Sequence, residues 1–214
     1  MIQHTSEKIF YLVRHGQVAF PDHQRRYLGR TDLPLSQRGL AQADWLQQYF
    51  QPFISQKRLT AVYHSPLQRC SKTAEVLAQN QIPCLAVTAL QEIAMGQWEM
   101  LSMEQIKQQQ PALYEQRGQC FASFYPPGGE SFLQCQQRSV LALQQIADSQ
   151  LEGTACVLVT HAGVIRCLLS WAAQQPLQQM FSFQVPYGSI TALILQGAEW
   201  RIGPQIINQI KNEA

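Results

Sequence analysis

Residues 10–20 read FYLVRHGQVAF, and this stretch decides how the rest of the chain is read. Phe10 to Val13 are apolar and rich in β-forming side chains, Arg14 and His15 follow without interruption, and Gly16 breaks the run. A buried strand that ends on a cation and an imidazole delivers both to one rim of a sheet. In open α/β sheets that rim, at the carboxyl ends of the strands, is where ligands bind.

The same reading applies elsewhere. Short apolar runs at 9–13 (IFYLV), 59–64 (LTAVYH), 155–160 (ACVLVT) and 189–196 (SITALILQ) predict buried strands. CLAVT at 84–88 is a weaker fifth, and EWRIG at 199–203 pairs back onto the preceding run through Gly197 and Ala198. Helical periodicity lies between them. After Ser36 it runs through Leu40, Ala43, Leu46 and Phe50. Ser65, Pro66 and Gln68 read as an N-cap, first-turn proline and capping-box glutamine for a helix through Cys70, Ala74 and Leu77. After PPGGES, Phe132, Cys135, Ser139, Leu143 and Ile146 trace a longer stripe, and a last helix is expected from about Gly163 to Ala173. Alternating strands and helices predict an α/β fold: a three-layer α/β/α sandwich on a mostly parallel sheet. The 214 residues are read as a single domain, with 93–128 an excursion able to cover one end of the sheet.

Composition narrows the partners. A net charge of +2 gives no general case for nucleic acid or membrane binding, and no stretch has the roughly 18 continuous apolar residues of a span. Charged residues make up 14%, below the roughly 25% of ordinary chains, and glutamine supplies the missing polarity. The six cysteines form no C-x-x-C and no zinc spacing, so they read as mostly buried thiols in a reducing cytoplasm. No metal or cofactor is expected.

The chemistry gathers where strands end. The first ends at Arg14-His15-Gly16, the second precedes Ser65-Pro66 and Arg69, and the third ends at His161-Ala162-Gly163. Two histidines and two arginines thus share a rim. The arginine fork matches phosphate oxygens, and helix N-termini add N–H donors. Each residue alone has a structural explanation. The ordered set points to a phosphate site.

These motifs resemble the histidine phosphatase superfamily, with its phosphoglycerate mutase-like fold. LVRHGQ resembles its signature, GRTDLPLSQRGLAQA the loop and helix after it, and YHSPLQRCSKTAEVLA its second arginine block. LQEIAMGQWEM resembles its acid block and VTHAGVIR its second-histidine block. Within the superfamily, GQWEM, PPGGESF and FSFQVPYGSITAL look most like the alpha-ribazole phosphatases of cobalamin nucleotide-loop assembly. The resemblance implies a metal-independent phosphomonoesterase acting on a small phosphate ester. His15 attacks phosphorus, Arg14, Arg69 and His161 hold the phosphoryl oxygens, and Glu92 protonates the leaving oxygen and activates water. Ala162, Gln17, Arg30 and Thr31 fall beside that pocket. Arg14 and Arg69 should depress the His15 pKa and keep it nucleophilic.

Alternatives stay open. From residues alone, Glu99 competes with Glu92 for the acid, and the resemblance selects Glu92. Many relatives follow RHG with Glu-Thr and then an asparagine that touches phosphate; here Gln17, Val18 and Pro21 stand in those places. Its part falls to Arg25, Arg26 or Thr31, or to nothing; Arg25 and Arg26 read equally as solvated loop charges. His64 either lines the pocket or packs at a strand end. The competing functions are a broad-specificity sugar or nucleotide phosphatase, a phosphoglycerate mutase and a non-catalytic phosphate-binding scaffold. Oligomeric state is not readable.

Overall fold

The computed structural model describes residues 7–21, 26–208 and 210. In chain order the elements are β1 (Lys8–Arg14), α1 (Gln37–Ser55), β2 (Leu59–His64), α2 (Gln68–Ala78), β3 (Cys84–Ala86), α3 (Met103–Gln109), α4 (Pro111–Gln119), α5 (Phe132–Ser149), β4 (Ala155–Thr160), α6 (Ala162–Ala172), β5 (Ile190–Gln196) and β6 (Glu199–Ile206). They form a three-layer α/β/α sandwich.

The sheet order is β3-β2-β4-β1-β5-β6. β1 pairs parallel with β4, β4 with β2, and β2 with β3, whereas β5 runs antiparallel to both β1 and β6. β2, β4 and β1 are therefore adjacent and codirectional. Arg14 sits opposite Thr160 in register, and His64 opposite Val159, so three strand ends open on one rim.

The two-residue period of the strands explains the layers. Phe10, Leu12, Cys156 and Leu158 face α5 and α6. Val13, Val157 and Val159 face α1 and α2 on the other side. Every residue of β4 is buried, as a central parallel strand covered on both faces requires. Ser36 caps α1 by accepting from Gly39 N, and Ser131 with Gln134 completes a capping box at α5.

The expected start of α2 is corrected. Its helix begins at Gln68 after Leu67, with no side-chain cap. The Ser65 hydroxyl is shared, with Oγ 2.9 Å from His161 Nε2 and accepting from Leu67 N at 3.4 Å, ahead of the helix. Gln68 N donates to Asp32 Oδ1 at 2.8 Å. The expected fifth strand is confined to Cys84–Ala86 on the sheet edge, and the hairpin strand extends to Ile206. Cys70, Cys135, Cys156 and Cys167 are buried, while Cys84 and Cys120 are exposed.

Residues 93–128 hold α3, α4 and a one-turn 3-10 helix at Gly96–Trp98. Trp98, Ile106 and Phe124 form a small cluster with Tyr27, Met95 and Leu113 packed on it. Tyr27 N donates to Leu101 O and Met100 N to Tyr27 O, tying this segment to the loop after β1.

The centre of β4 should be the most sensitive part of the core. Leu158 is wholly buried, so Leu158→Ala should destabilise the protein by about 2–5 kcal/mol, read from denaturant unfolding.

Candidate active site

The break at Gly16 has a steric cause. A Cβ there would lie 2.3 Å from Gly39 O, because the chain leaving β1 crosses the first turn of α1 in backbone contact. Gly16 N donates to Thr73 Oγ1 on α2, and Gln17 N to Gln42 Oε1 on α1. The turn that presents His15 is thus anchored to both helices of one layer.

His15 is buried, and its Nδ1 lies 2.7 Å from Gly16 O. A carbonyl can only accept, so the proton is on Nδ1 and the lone pair is left on Nε2. Burial, then Arg69, then Arg14 hold its pKa well below 6.5. The imidazole is neutral at neutral pH, with its lone pair on Nε2.

Arg69 has no solvent exposure. Its Nη2 donates to Gly29 O at 2.6 Å, Nη1 to Thr31 O at 2.8 Å, and Nε to His161 Nδ1 at 3.3 Å. Among the described residues no carboxylate is within ion-pair distance of it. A buried guanidinium held only by neutral acceptors keeps most of its charge available to an anion. Arg14 donates from Nη1 to Val185 O at 2.7 Å and lies with Cζ 3.6 Å from the centre of the Tyr187 ring. Tyr187 lies within the FSFQVPYGSITAL stretch, but no role for it follows from the sequence; its signal is the arginine–aromatic stack.

His161 precedes α6 and is fully buried, its ring centre 5.1 Å from that of His15. Since Arg69 donates to Nδ1, Nε2 carries the proton and donates to Ser65 Oγ. Burial first, then His15, Arg69 and Arg14, keep its pKa well below 6.5. Cys70 Sγ sits 3.4 Å from the same Nε2, its thiol pushed upward mainly by burial.

The two candidate acids are separated by their partners. Glu99 accepts from the backbone N–H groups of Gly29, Arg30 and Thr31 at 2.7, 3.2 and 3.0 Å, which shapes the loop that feeds carbonyls to Arg69. Glu92 is buried on the rim, and its carboxylate accepts from Ile93 N at 3.0 Å and from Gly163 N at 3.1 Å in the first turn of α6. A Cβ at Gly163 would lie 2.4 Å from Glu92 Oε1, so that position admits only glycine without moving the carboxylate.

A cleft of about 510 Å³ adjoins this centre at Glu92, Ala162 and Gly163. Its walls include Tyr27, Met95, Phe132 and Phe181, with Arg26, Arg117 and Arg166 among them. Arg30 is directed elsewhere, with Nε to Glu92 O at 3.3 Å and Nη2 near Glu130. Thr31 contributes its carbonyl to Arg69 and its N–H to Glu99. Arg26 donates to Met100 O, and Arg25 lies outside the described residues. Pro21 is exposed, and His64 is buried with Nδ1 2.9 Å from Ser65 O. No group of three or more His, Cys, Asp or Glu among the described residues is placed to hold a metal ion. No helix among them is long and apolar enough to cross a membrane.

The family model of the histidine phosphatase superfamily, branch 1, matches residues 10–204. The chain belongs to that superfamily. Hydrolysis of phosphate esters is the general activity that goes with this membership. Among its relatives, the adenosylcobalamin/alpha-ribazole phosphatase of Escherichia coli (strain K12) is 27% identical over 86% of this chain and 88% of that protein. A metal-independent phosphoserine phosphatase of Arabidopsis thaliana is 32% identical over 73% of this chain and 65% of that protein. The solved structure of Bacillus stearothermophilus YhfR matches with a TM-score of 0.80 at 29% identity, covering 91% of this chain and 95% of that one.

The two neutral buried histidines give a signed pH effect. Their folded-state pKa values lie below the unfolded 6.5, so the unfolded chain binds more protons as pH falls through that value. Stability should be full above about pH 6.5 and fall below it by up to about 1.4 kcal/mol per pH unit for each histidine. Urea unfolding between pH 7.5 and 5.5 should show this slope, and His15→Asn should reduce it.

Proposed function

We propose that the protein is a metal-independent phosphomonoesterase that works through a phosphohistidine on His15, with alpha-ribazole 5'-phosphate as its substrate. The observation that carries the reading is the tautomer of His15. Its Nδ1–H is fixed on Gly16 O, which leaves the Nε2 lone pair in a buried site beside the Arg14 and Arg69 guanidinium groups.

In the first step Nε2 of His15 attacks phosphorus in line. The N–P bond forms as the ester P–O bond breaks, and Glu92 gives its proton to the leaving oxygen. Arg14 and Arg69 balance charge on the phosphoryl oxygens, which is most of what phosphoryl transfer asks of a protein. His161 Nε2–H, which donates to Ser65 Oγ, exchanges that partner for a phosphoryl oxygen when the ester binds, and Ala162 stands at the opening of α6. In the second step Glu92 takes a proton from water, the oxygen attacks phosphorus, and the N–P bond breaks. Glu99 is less suited to this part, because three backbone N–H groups of residues 29–31 hold it and it does not line the cleft, as Glu92 does.

The substrate assignment draws support from the cleft and from the likeness to the Escherichia coli enzyme. A volume of about 510 Å³ has room for a ribose and its base, and the aromatic and thioether walls between Arg26, Arg117 and Arg166 offer the base apolar contact. All six cysteines are free thiols, which suits action in a reducing cytoplasm.

Rapid quenching with labelled substrate should trap acid-labile, base-stable phosphate on the wild-type protein. His15→Ala should abolish both label and turnover, and Arg69→Ala should lower kcat on the order of 10²–10³. Near wild-type turnover in His15→Ala, or label on His161, overturns the nucleophile.

Substrate preference is checked separately. kcat/KM for alpha-ribazole 5'-phosphate should exceed that for 3-phosphoglycerate by at least about 10-fold, a difference of roughly 1.4 kcal/mol within reach of a few base and ribose contacts. Equal values across nucleoside and sugar phosphates would make it a broad-specificity phosphatase.

A further inference from the structure

Glu92 stands on a segment with little regular structure of its own. One 3-10 turn ends at Leu90 and the next begins at Gly96, so the peptide groups between them must find partners elsewhere. One ion pair meets this demand at Glu92 and Ala94, and reaches back to Ala89 in the preceding turn. Arg138, on α5, donates from Nη1 to Ala89 O at 2.7 Å and from Nη2 to Glu92 O at 3.3 Å. The same guanidinium meets Glu130 fork to fork, Nε to Oε1 at 2.6 Å and Nη2 to Oε2 at 2.9 Å. Glu130 then accepts from Ala94 N at 3.3 Å, and its own N–H donates to Ala94 O at 2.9 Å.

Arginine therefore grips the carbonyls of residues 89 and 92, and glutamate grips residue 94. Arg30 approaches the same Glu92 carbonyl from the loop after β1. The pair is largely shielded, with side-chain exposures of 21% for Arg138 and 13% for Glu130. A bidentate, shielded pair has a fixed geometry that an exposed one lacks. On the far side of the same residue, the Glu92 carboxylate is fixed by Ile93 N and Gly163 N. Glu92 is thus held at its carbonyl from α5 and at its carboxylate from the start of α6.

We propose that Arg138, locked by Glu130, is a positioning residue that sets where the Glu92 carboxyl meets the leaving oxygen. It touches no substrate and acts through the Glu92 backbone. The inference rests on Glu92 being the acid of the proposed function. The competing explanation is that the pair only fastens α5 to the neighbouring loop.

The two are separated with 4-nitrophenyl phosphate, whose leaving group needs little protonation, and benzyl phosphate, whose alkoxide leaving group needs it fully. Wild type, Arg138→Lys, Glu92→Gln and the double variant are compared. Arg138→Lys keeps the charge and loses the fork. It should lower kcat on benzyl phosphate by about 10-fold or more and on 4-nitrophenyl phosphate by less than about 3-fold, with KM within about 2-fold. In the Glu92→Gln background, adding Arg138→Lys should leave the ratio of the two rates unchanged, because the group it positions is gone. An equal fall on both substrates, an unchanged ratio, or a ratio effect that persists without Glu92 overturns the inference while the phosphatase reading stands. A wild-type ratio in Glu92→Gln overturns the assignment of the acid, and this inference with it. Should Arg138→Lys fail to fold by circular dichroism, Glu130→Gln releases the lock on the Arg138 fork while leaving Arg138 in place. It should shift the ratio the same way, by about 3-fold, and no shift overturns the inference.

Discussion

A guanidinium with no access to water must find acceptors inside the protein, and Arg69 organises the rim around that demand. Its acceptors come from two places far apart in sequence: carbonyls at residues 29 and 31, and the ring of His161 at the end of β4. Supplying the carbonyls requires the 29–31 backbone to point inward, and Glu99 enforces this by taking three N–H groups on the opposite side of that loop. Supplying the imidazole fixes the His161 tautomer, whose Nε2–H then donates to Ser65 Oγ, an oxygen that also accepts from Leu67 N just ahead of α2. A sulfur, a hydroxyl and two imidazoles are thereby ordered around one cation.

The strand ends were legible because two independent signals coincide there. A central parallel strand reads as a continuous apolar run, and Arg14-His15 and His161 follow such runs directly. Ser131 and Ser36 also announce their helices, since capping is local chemistry. Ser65 misleads for a partly non-local reason: its hydroxyl is shared with a residue 96 positions away. The choice between Glu92 and Glu99 could not be made from spacing, because both lie on irregular chain whose hydrogen bonds are tertiary. Arg138 looks like any polar residue on an amphipathic helix. Nothing in its neighbours signals that it reaches residues 89 and 92.

The reversed strand β5 has a part in the same centre. Because it runs antiparallel to β1, the chain enters it on the rim where β1 ends, bringing Val185 and Tyr187 against Arg14. Gly188 N closes this junction by donating to Arg14 O and His15 O. The late segment therefore braces the end of β1 at Arg14 and His15, and the antiparallel edge is more than a way of finishing the sheet.

The helix α4 buries none of its side chains, although Arg117 on it lines the cleft. Cohesion is therefore uneven: the rim at His161 rests on β4, buried along its whole length, while one wall of the cleft rides on a helix whose Leu113 and Tyr114 are only half-buried. Mutational drift in that wall can change which alcohol is accepted while barely taxing the global free energy of folding. Chemistry and choice of substrate can thus evolve on separate clocks, the first locked to the core and the second nearly free of it.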